Sequence, residues 1–188
     1  DNNMSNLSTF FPAASSTNVL EHLIWQPDGR TIKTVNGDKT ADNLTASFIT
    51  GTTFVDGGST IAYTPPTGTK NLLFSMNFNY TRDGTSGPIW MTKITIDGTD
   101  FVGSHDSMYG GADDYYNVVN VQRCLQVGAS SENIAAGIIG AWTSDKTLEY
   151  RVATYSSAYD WKFGNNVYIP GGNENTFQRP TYQLLATT

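Results

Sequence analysis

Residues able to carry out nucleophilic, metal or nucleotide chemistry are scarce in this sequence. His22 and His105 are its two histidines and Cys124 its single cysteine. The histidines are not one helical turn apart, and one cysteine makes neither an intrachain disulfide nor a cysteine-rich zinc site. The chain also lacks a Gly-x-Ser-x-Gly elbow, a phosphate-binding glycine loop ending in Lys-Ser or Lys-Thr, and a dinucleotide fingerprint. Nucleophilic and nucleotide chemistry therefore lack their usual sequence support, and we expect no histidine or cysteine metal site.

Neighbouring carboxylates occur as Asp97 with Asp100 and as Asp113 with Asp114. A glycoside hydrolase needs two carboxyl groups about 5 to 10 Å apart across a cleft, which sequence proximity alone does not supply. Calcium binding by the segment 97–114 is an alternative, because Ca²⁺ takes six to eight oxygen ligands, although the regular spacing of a calcium loop is missing. Aspartate beside glycine usually caps a turn, and we interpret these residues as turn residues.

The segment from His105 to Tyr116 is the most polar and aromatic loop that the sequence predicts. Its Gly110-Gly111 pair permits backbone shapes closed to other residues, and its tyrosines offer flat, amphipathic contact area. We predict an exposed partner-binding loop with these residues: His105, Tyr109, Asp113, Asp114, Tyr115 and Tyr116. Three of the tyrosines, together with Trp161, are candidates for stacking on sugar rings. The alternatives are aromatic side chains of the core or of a subunit interface, and a merely solvated connection.

The elements that would hold this loop are short strands. Apolar residues alternate with polar ones along 72–80, 89–97 and 148–152, the period of two of half-buried antiparallel strands. About ten such runs, separated by turn signals such as Asn36-Gly37 and Asp97-Gly98, predict an all-β antiparallel sandwich or jelly roll. We expect 61–80 to be a hairpin turning at Pro65-Pro66, and 19–25 to form a short helix.

Composition excludes several partners. Seventeen acidic and eleven basic residues leave a net charge of −6, which argues against nucleic acid as a partner. The sequence has no run of about twenty apolar residues, so we expect no membrane insertion. We expect an N-terminal arm over residues 1–41, partly extended, that anchors the protein or contacts another subunit, and one jelly-roll domain over residues 42–188.

The order of several turn motifs resembles one family. They are Asn18-Val-Leu-Glu, Asp28-Gly-Arg, Tyr63-Thr-Pro-Pro-Thr-Gly-Thr, Ile96-Asp-Gly-Thr, Trp142-Thr-Ser-Asp-Lys-Thr and Arg179-Pro-Thr. From about Ser16 onward the chain resembles the small trimeric structural proteins of tailed bacteriophages, especially marine and cyanobacterial ones, that carry a tumour-necrosis-factor-like (C1q-like) jelly roll.

This resemblance implies a non-enzymatic homotrimer without a cofactor, exposed on the virion surface. It would be a capsid decoration or short spike whose partners are itself and other virion proteins. We expect the trimer interface to include Tyr182, Leu184 and Tyr155, since the last strand has apolar residues on both faces. The first alternative is a receptor-binding knob of a tail or head fibre that recognises host-surface glycans. The second is a secreted carbohydrate-active protein.

Overall fold

The structure is a computed structural model that describes residues 17–82, 89–109, 117–166 and 176–188. These residues form strands and two 3₁₀ turns, at Ile134–Ala136 and Ser157–Tyr159, and no α-helix occurs among them. In chain order the strands are β1 (Val19–Trp25), β2 (Thr31–Ile32), β3 (Lys39–Thr40), β4 (Phe48–Ile49), β5 (Val55–Asp56), β6 (Ile61–Tyr63), β7 (Asn71–Arg82), β8 (Ile89–Ile96), β9 (Thr99–Tyr109), β10 (Asn117–Val127), β11 (Ile138–Ile139), β12 (Lys146–Thr154), β13 (Trp161–Phe163), β14 (Asn165–Asn166), β15 (Thr176–Phe177) and β16 (Thr181–Thr187).

The first sheet is built around β7 and has the order β1-β16-β7-β10-β11. Leu73 of β7 pairs with Cys124 of β10 on one side and with Leu185 of β16 on the other. Beyond β16, the end of β7 pairs with β13, which in turn pairs with β4. These pairs are antiparallel, whereas β10 and β11 pair in parallel. The long alternating sequence of β7 therefore lies at the centre of the sheet.

The second sheet has the order β5-β12-β8-β9, and β6 pairs with the first residues of β12. A tight turn at Asp97-Gly98 joins β8 to β9, with φ of 49° and 77°. Positive φ at both central residues is what a two-residue hairpin of matching twist requires. Two small ladders, β2 with β3 and β14 with β15, complete the pairing among the described strands.

The core lies between the two sheets. The inward side chains of β7 are almost fully buried, and they are Leu72, Phe74, Met76, Phe78 and Tyr80. Opposite them, the Tyr150 ring of β12 lies 4.6 Å from the Phe74 ring, and its hydroxyl donates to the Phe74 carbonyl oxygen at 2.8 Å. A hydrogen bond between the layers satisfies the polar end of a buried aromatic residue. The predicted all-β antiparallel sandwich of jelly-roll type is confirmed.

Three local predictions are wrong. The segment 19–25 is the strand β1, because pairing with β16 supplies hydrogen bonds over its whole length. The segment 61–80 is not a hairpin: β6 pairs in the second sheet and β7 in the first, so the Pro65-Pro66 turn crosses between layers. The predicted loop from His105 begins inside β9, which pairs with β8 as far as Tyr109.

The predicted N-terminal arm divides into two parts. Residues 1–16 lie outside the described residues. Within the remainder, β1 is hydrogen-bonded to β16 and buries Leu23 and Trp25 in the core, so this part of the arm belongs to the sandwich. No helix formed by the described residues is long and apolar enough to cross a membrane.

Candidate binding groove

The predicted partner-binding residues fall partly on β9. His105 lies on the outer side of the second sheet, where its ring centroid is 6.4 Å from that of Phe54 and its Nε2 is 3.8 Å from Asp100 Oδ2. Tyr109 is the last residue of β9. The other four predicted residues lie outside the described residues, and they are Asp113, Asp114, Tyr115 and Tyr116.

The predicted trimer-interface residues do not share a surface. Tyr182 and Leu184 are both 0% exposed within the single chain, and the Tyr182 hydroxyl donates to the Gly57 carbonyl oxygen at 2.6 Å. A side chain that is fully buried in its own sandwich has no surface left for a partner subunit. Tyr155 is 65% exposed, with its ring 6.4 Å from that of Tyr159.

A bulge in β9 shapes the open side of the sandwich. Thr92 pairs with Asp106 and Ile94 with Phe101, so four residues of β9 face the single residue between Thr92 and Ile94. Ser104 closes the bulge, because its Oγ accepts from the Ile94 N–H at 2.7 Å and donates to the Phe101 carbonyl oxygen at 2.6 Å. Bulges of this kind bend a strand and redirect its side chains.

Beyond the bulge, a groove of about 390 Å³ separates β9 of the second sheet from β10 of the first. Its lining combines an indole, amides, a hydroxyl, an ion pair and apolar side chains. The lining residues are Trp90, Asp106, Ser107, Met108, Val119, Asn120, Val121, Gln122 and Arg123. Its volume is in the range of pockets that hold small ligands.

An Arg123–Asp106 pair bridges the groove from one sheet to the other. Arg123 Nη2 bonds Asp106 Oδ1, its Nε donates to the Gly103 carbonyl oxygen at 3.1 Å, and its Nη1 donates to the Gln122 carbonyl oxygen at 2.7 Å. The Arg123 side chain is 30% exposed and that of Asp106 27%. Three anchored nitrogens hold the guanidinium plane in one orientation, while part of both side chains stays accessible to a ligand.

Trp90 lines the groove and is only 4% exposed. Its ring packs edge-on against Phe78 at 5.9 Å. The indole Nε1 is buried and has no acceptor among the described residues. The Trp90 ring therefore forms part of the groove wall, while its N–H is enclosed behind that wall.

The chemistry of the groove suits a hydroxylated, uncharged ligand. Hydroxyl groups both donate and accept hydrogen bonds, and the groove presents a donor at Arg123 and amides at Asn120 and Gln122. Asp106 is the single carboxylate in the lining formed by described residues.

Sequence reasoning missed these groove residues, although one signal was present. Arg123 stands among residues of β10 whose side chains point inward, such as Val121 and Leu125. A charge at an inward position of an alternating strand indicates either a paired interior charge or a site. Trp90 offered no such signal, because the pattern of β8 places it with the core.

Asp97 and Asp100 have separate partners: Asp97 is a turn residue whose Oδ1 accepts from the Thr147 N–H at 2.7 Å, and Asp100 pairs with Lys93 at 2.8 Å. Asp113 and Asp114 lie outside the described residues. Two other carboxylates, those of Asp42 and Asp56, come together next to the loop between β5 and β6. Burial, with the neighbouring Asp56 carboxylate, raises the pKa of Asp42 to about 6. Among the described residues, no three His, Cys, Asp or Glu side chains are placed to hold a metal ion.

No protein-family model and no curated protein matches this chain. Solved structures similar to it include the sugar-binding EclA C-terminal domain, with 11% identity, a TM-score of 0.32, and coverage of 73% of this chain and 80% of that one. A Podospora anserina GH26-CBM35 β-(1,4)-mannanase has 10% identity and a TM-score of 0.32 over 89% of this chain, which is 28% of the mannanase chain. A structure described as "CBM4 structure and function" has 11% identity and a TM-score of 0.28 over 89% and 93% of the two chains. At these TM-scores the comparisons assign no function to this chain.

Proposed function

We propose that this chain is a non-catalytic glycan-binding β-sandwich domain and that the groove between β9 and β10 is its binding site. The observation that carries the proposal is the Arg123–Asp106 pair, which bridges the groove and keeps part of both side chains accessible beside amide and apolar side chains. Sugar hydroxyls would bond the Arg123–Asp106 pair, and Met108 and Val119 would cover the apolar faces of the sugar rings.

The test is a glycan array probed with the wild-type chain and with Arg123→Gln, which removes the guanidinium that bridges the groove. Arg151→Gln is the matched control, since Arg151 also donates to a carbonyl oxygen, that of Phe54 at 3.1 Å, but does not line the groove. We expect array binding by the wild type and by Arg151→Gln. We expect a loss of about tenfold in affinity for Arg123→Gln, the value of one hydrogen bond to a charged group. A blank array for the wild type, or equal losses in both variants, would refute the proposal.

The second candidate is the virion structural protein that the family resemblance implies, a homotrimer on the particle surface. Two exposed apolar side chains on adjacent segments favour it. Tyr155 is 65% exposed and Ile49 53%, and the two segments are adjacent because the Thr154 N–H donates to the Gly51 carbonyl oxygen at 2.9 Å. Such a patch is typical of a surface that a second copy covers. Sedimentation of the purified chain tests it, and a mass of one chain at all concentrations would oppose it.

A further inference from the structure

A second cavity lies at the opposite end of β10 from the end that leads into segment 110–116. It has a volume of about 370 Å³ and is formed mainly by the segment between β6 and β7, which crosses between the sheets. We name it the β6–β7 pocket. Its lining residues are Asn36, Thr64, Pro65, Pro66, Thr67, Gly68, Thr69, Lys70, Val127, Gly128, Trp142 and Thr143.

Hydrogen bonds hold the walls of the β6–β7 pocket in place. Asn36 Nδ2 donates to the carbonyl oxygens of Thr64 and Pro65 at 3.0 and 3.1 Å. Trp142, which is 7% exposed, donates from Nε1 to the Tyr63 carbonyl oxygen at 2.9 Å. The two prolines restrict the backbone further. The pocket therefore exists before a ligand arrives, which reduces the entropy lost on binding.

Lys70 is the single charged residue in this lining. Its ammonium lies over Gly128, where a Cβ would be 3.9 Å from Lys70 Nζ. Lys70 has no ion pair among the described residues. The acidic residue beside the pocket, Asp145, is already bound by Lys39 Nζ at 2.6 Å and by Thr64 Oγ1 at 2.7 Å. Lys70 is thus an exposed cation at a pre-formed pocket, without an ion pair in the described part of a chain whose net charge is −6.

We propose that the β6–β7 pocket binds a sugar that carries a carboxylate, with Lys70 as the cationic anchor. The Thr67 and Thr143 side chains are exposed at the pocket and would bond the sugar hydroxyls. The rings of Pro65, Pro66 and Trp142 supply the apolar wall for the sugar ring. This site is separate from the β9–β10 groove and does not depend on the function proposed there, because the two linings share no residue.

Three probes separate the parts of this proposal when their affinities are measured by titration calorimetry at pH 7. Glucuronate carries both the carboxylate and the hydroxyls, glucose only the hydroxyls, and acetate only the carboxylate. We expect glucuronate to bind most tightly, and Lys70→Gln to weaken its binding about tenfold, because a hydrogen bond to a charged group is lost. The matched control is Lys162→Gln, since Lys162 also has no ion pair among the described residues and lies away from the pocket, on β13. We expect it to behave as the wild type.

Each other outcome overturns the inference. If acetate binds as tightly as glucuronate, the pocket is a simple anion site. If glucose binds as tightly as glucuronate, Lys70 has no role in binding. Equal losses in Lys70→Gln and Lys162→Gln would indicate a general effect of charge. Loss of glucuronate binding in Arg123→Gln would move the ligand to the groove, so failure here and failure of the groove proposal can be told apart.

Discussion

Asp42 shows how the fold changes the chemistry of a single residue. Its Oδ2 accepts from the Thr60 N–H at 2.8 Å, while Asp56 accepts from the Ser59 N–H at 3.1 Å and from Thr60 Oγ1 at 3.1 Å. Both carboxylates therefore hold the short loop between β5 and β6. Because burial and the Asp56 charge raise the pKa of Asp42 to about 6, the folded chain holds a proton there that the unfolded chain releases near pH 4.

This difference predicts a pH-dependent effect of Asp42→Asn. The folded state binds the extra proton between about pH 4 and pH 6, so the contribution of Asp42 to stability is largest below that window and falls as pH rises through it. Asn cannot titrate. The free energy of unfolding of Asp42→Asn, relative to the wild type, should therefore increase from pH 4 to pH 7, as measured by urea denaturation.

Asp28→Asn is a control that should show no slope between pH 4 and pH 7, and a slope of opposite sign between about pH 2 and pH 4. Hydrogen bonding and ion pairing with Arg30 lower the pKa of Asp28 to about 2. Its contribution to stability is therefore present above about pH 4 and is lost as pH falls through the folded-state value. The same slope for both variants would contradict the assignment of the raised pKa to Asp42.

At the scale of an element, the bulged strand β9 forms one wall of the groove. Ser104 is 0% exposed and satisfies the Ile94 N–H, which the bulge removes from the ladder. The same bulge presents the Gly103 carbonyl oxygen to Arg123. The groove ion pair and the interruption of the strand are therefore parts of one local structure.

Ser104→Ala should destabilise the chain by about 1 to 3 kcal/mol, because the Ile94 N–H would be buried without an acceptor. Urea denaturation measures the loss, and faster amide hydrogen exchange at Ile94 would locate it. Ser144→Ala, at an exposed bend, should change stability by less than about 0.5 kcal/mol. Protection at Ile94 that is unchanged in Ser104→Ala would show that the bulge does not rely on this serine.

At the scale of the whole molecule, the sandwich interior and the surface that would contact other copies use different tyrosines. Tyr182 joins β16 to the loop at Gly57, where an added Cβ would lie 3.1 Å from the Tyr182 hydroxyl. Its ring also lies 5.6 Å from that of Trp25. The contacts of Tyr182 thus join several parts of one chain, whereas Tyr155 is exposed on the surface.

Two aspartate substitutions separate folding from assembly. Tyr182→Asp should lower the free energy of unfolding by more than about 4 kcal/mol and so abolish folding, because it places an unpaired charge in the core. Tyr155→Asp should keep the near-ultraviolet circular dichroism of the wild type and, if Tyr155 lies in a trimer interface, reduce the sedimenting mass to that of one chain. Tyr155→Phe is its conservative control. A folded Tyr182→Asp variant would contradict the core assignment, and a trimeric Tyr155→Asp variant would place the interface elsewhere.

Alternation in the sequence by itself determined most of the sandwich. The inward residues Phe74 and Met76 of β7 and Leu148 of β12 could be predicted because a strand exposes its two faces in turn. The Asp97-Gly98 turn could be predicted because few residues tolerate positive φ. Both properties depend on residues that are close together in the chain, so the sequence determines them whichever strand becomes the pairing partner.

Only the tertiary structure decided which strands pair and which side chains meet. The segment 19–25 became a strand because β16 lies beside it, and the Pro65-Pro66 turn joins two sheets because β6 pairs with β12. Trp90 and Arg123, 33 positions apart in the numbering, line one groove because β8 and β10 lie in facing sheets. Contacts between residues far apart in the chain depend on packing of the two layers, and no local pattern encodes that packing.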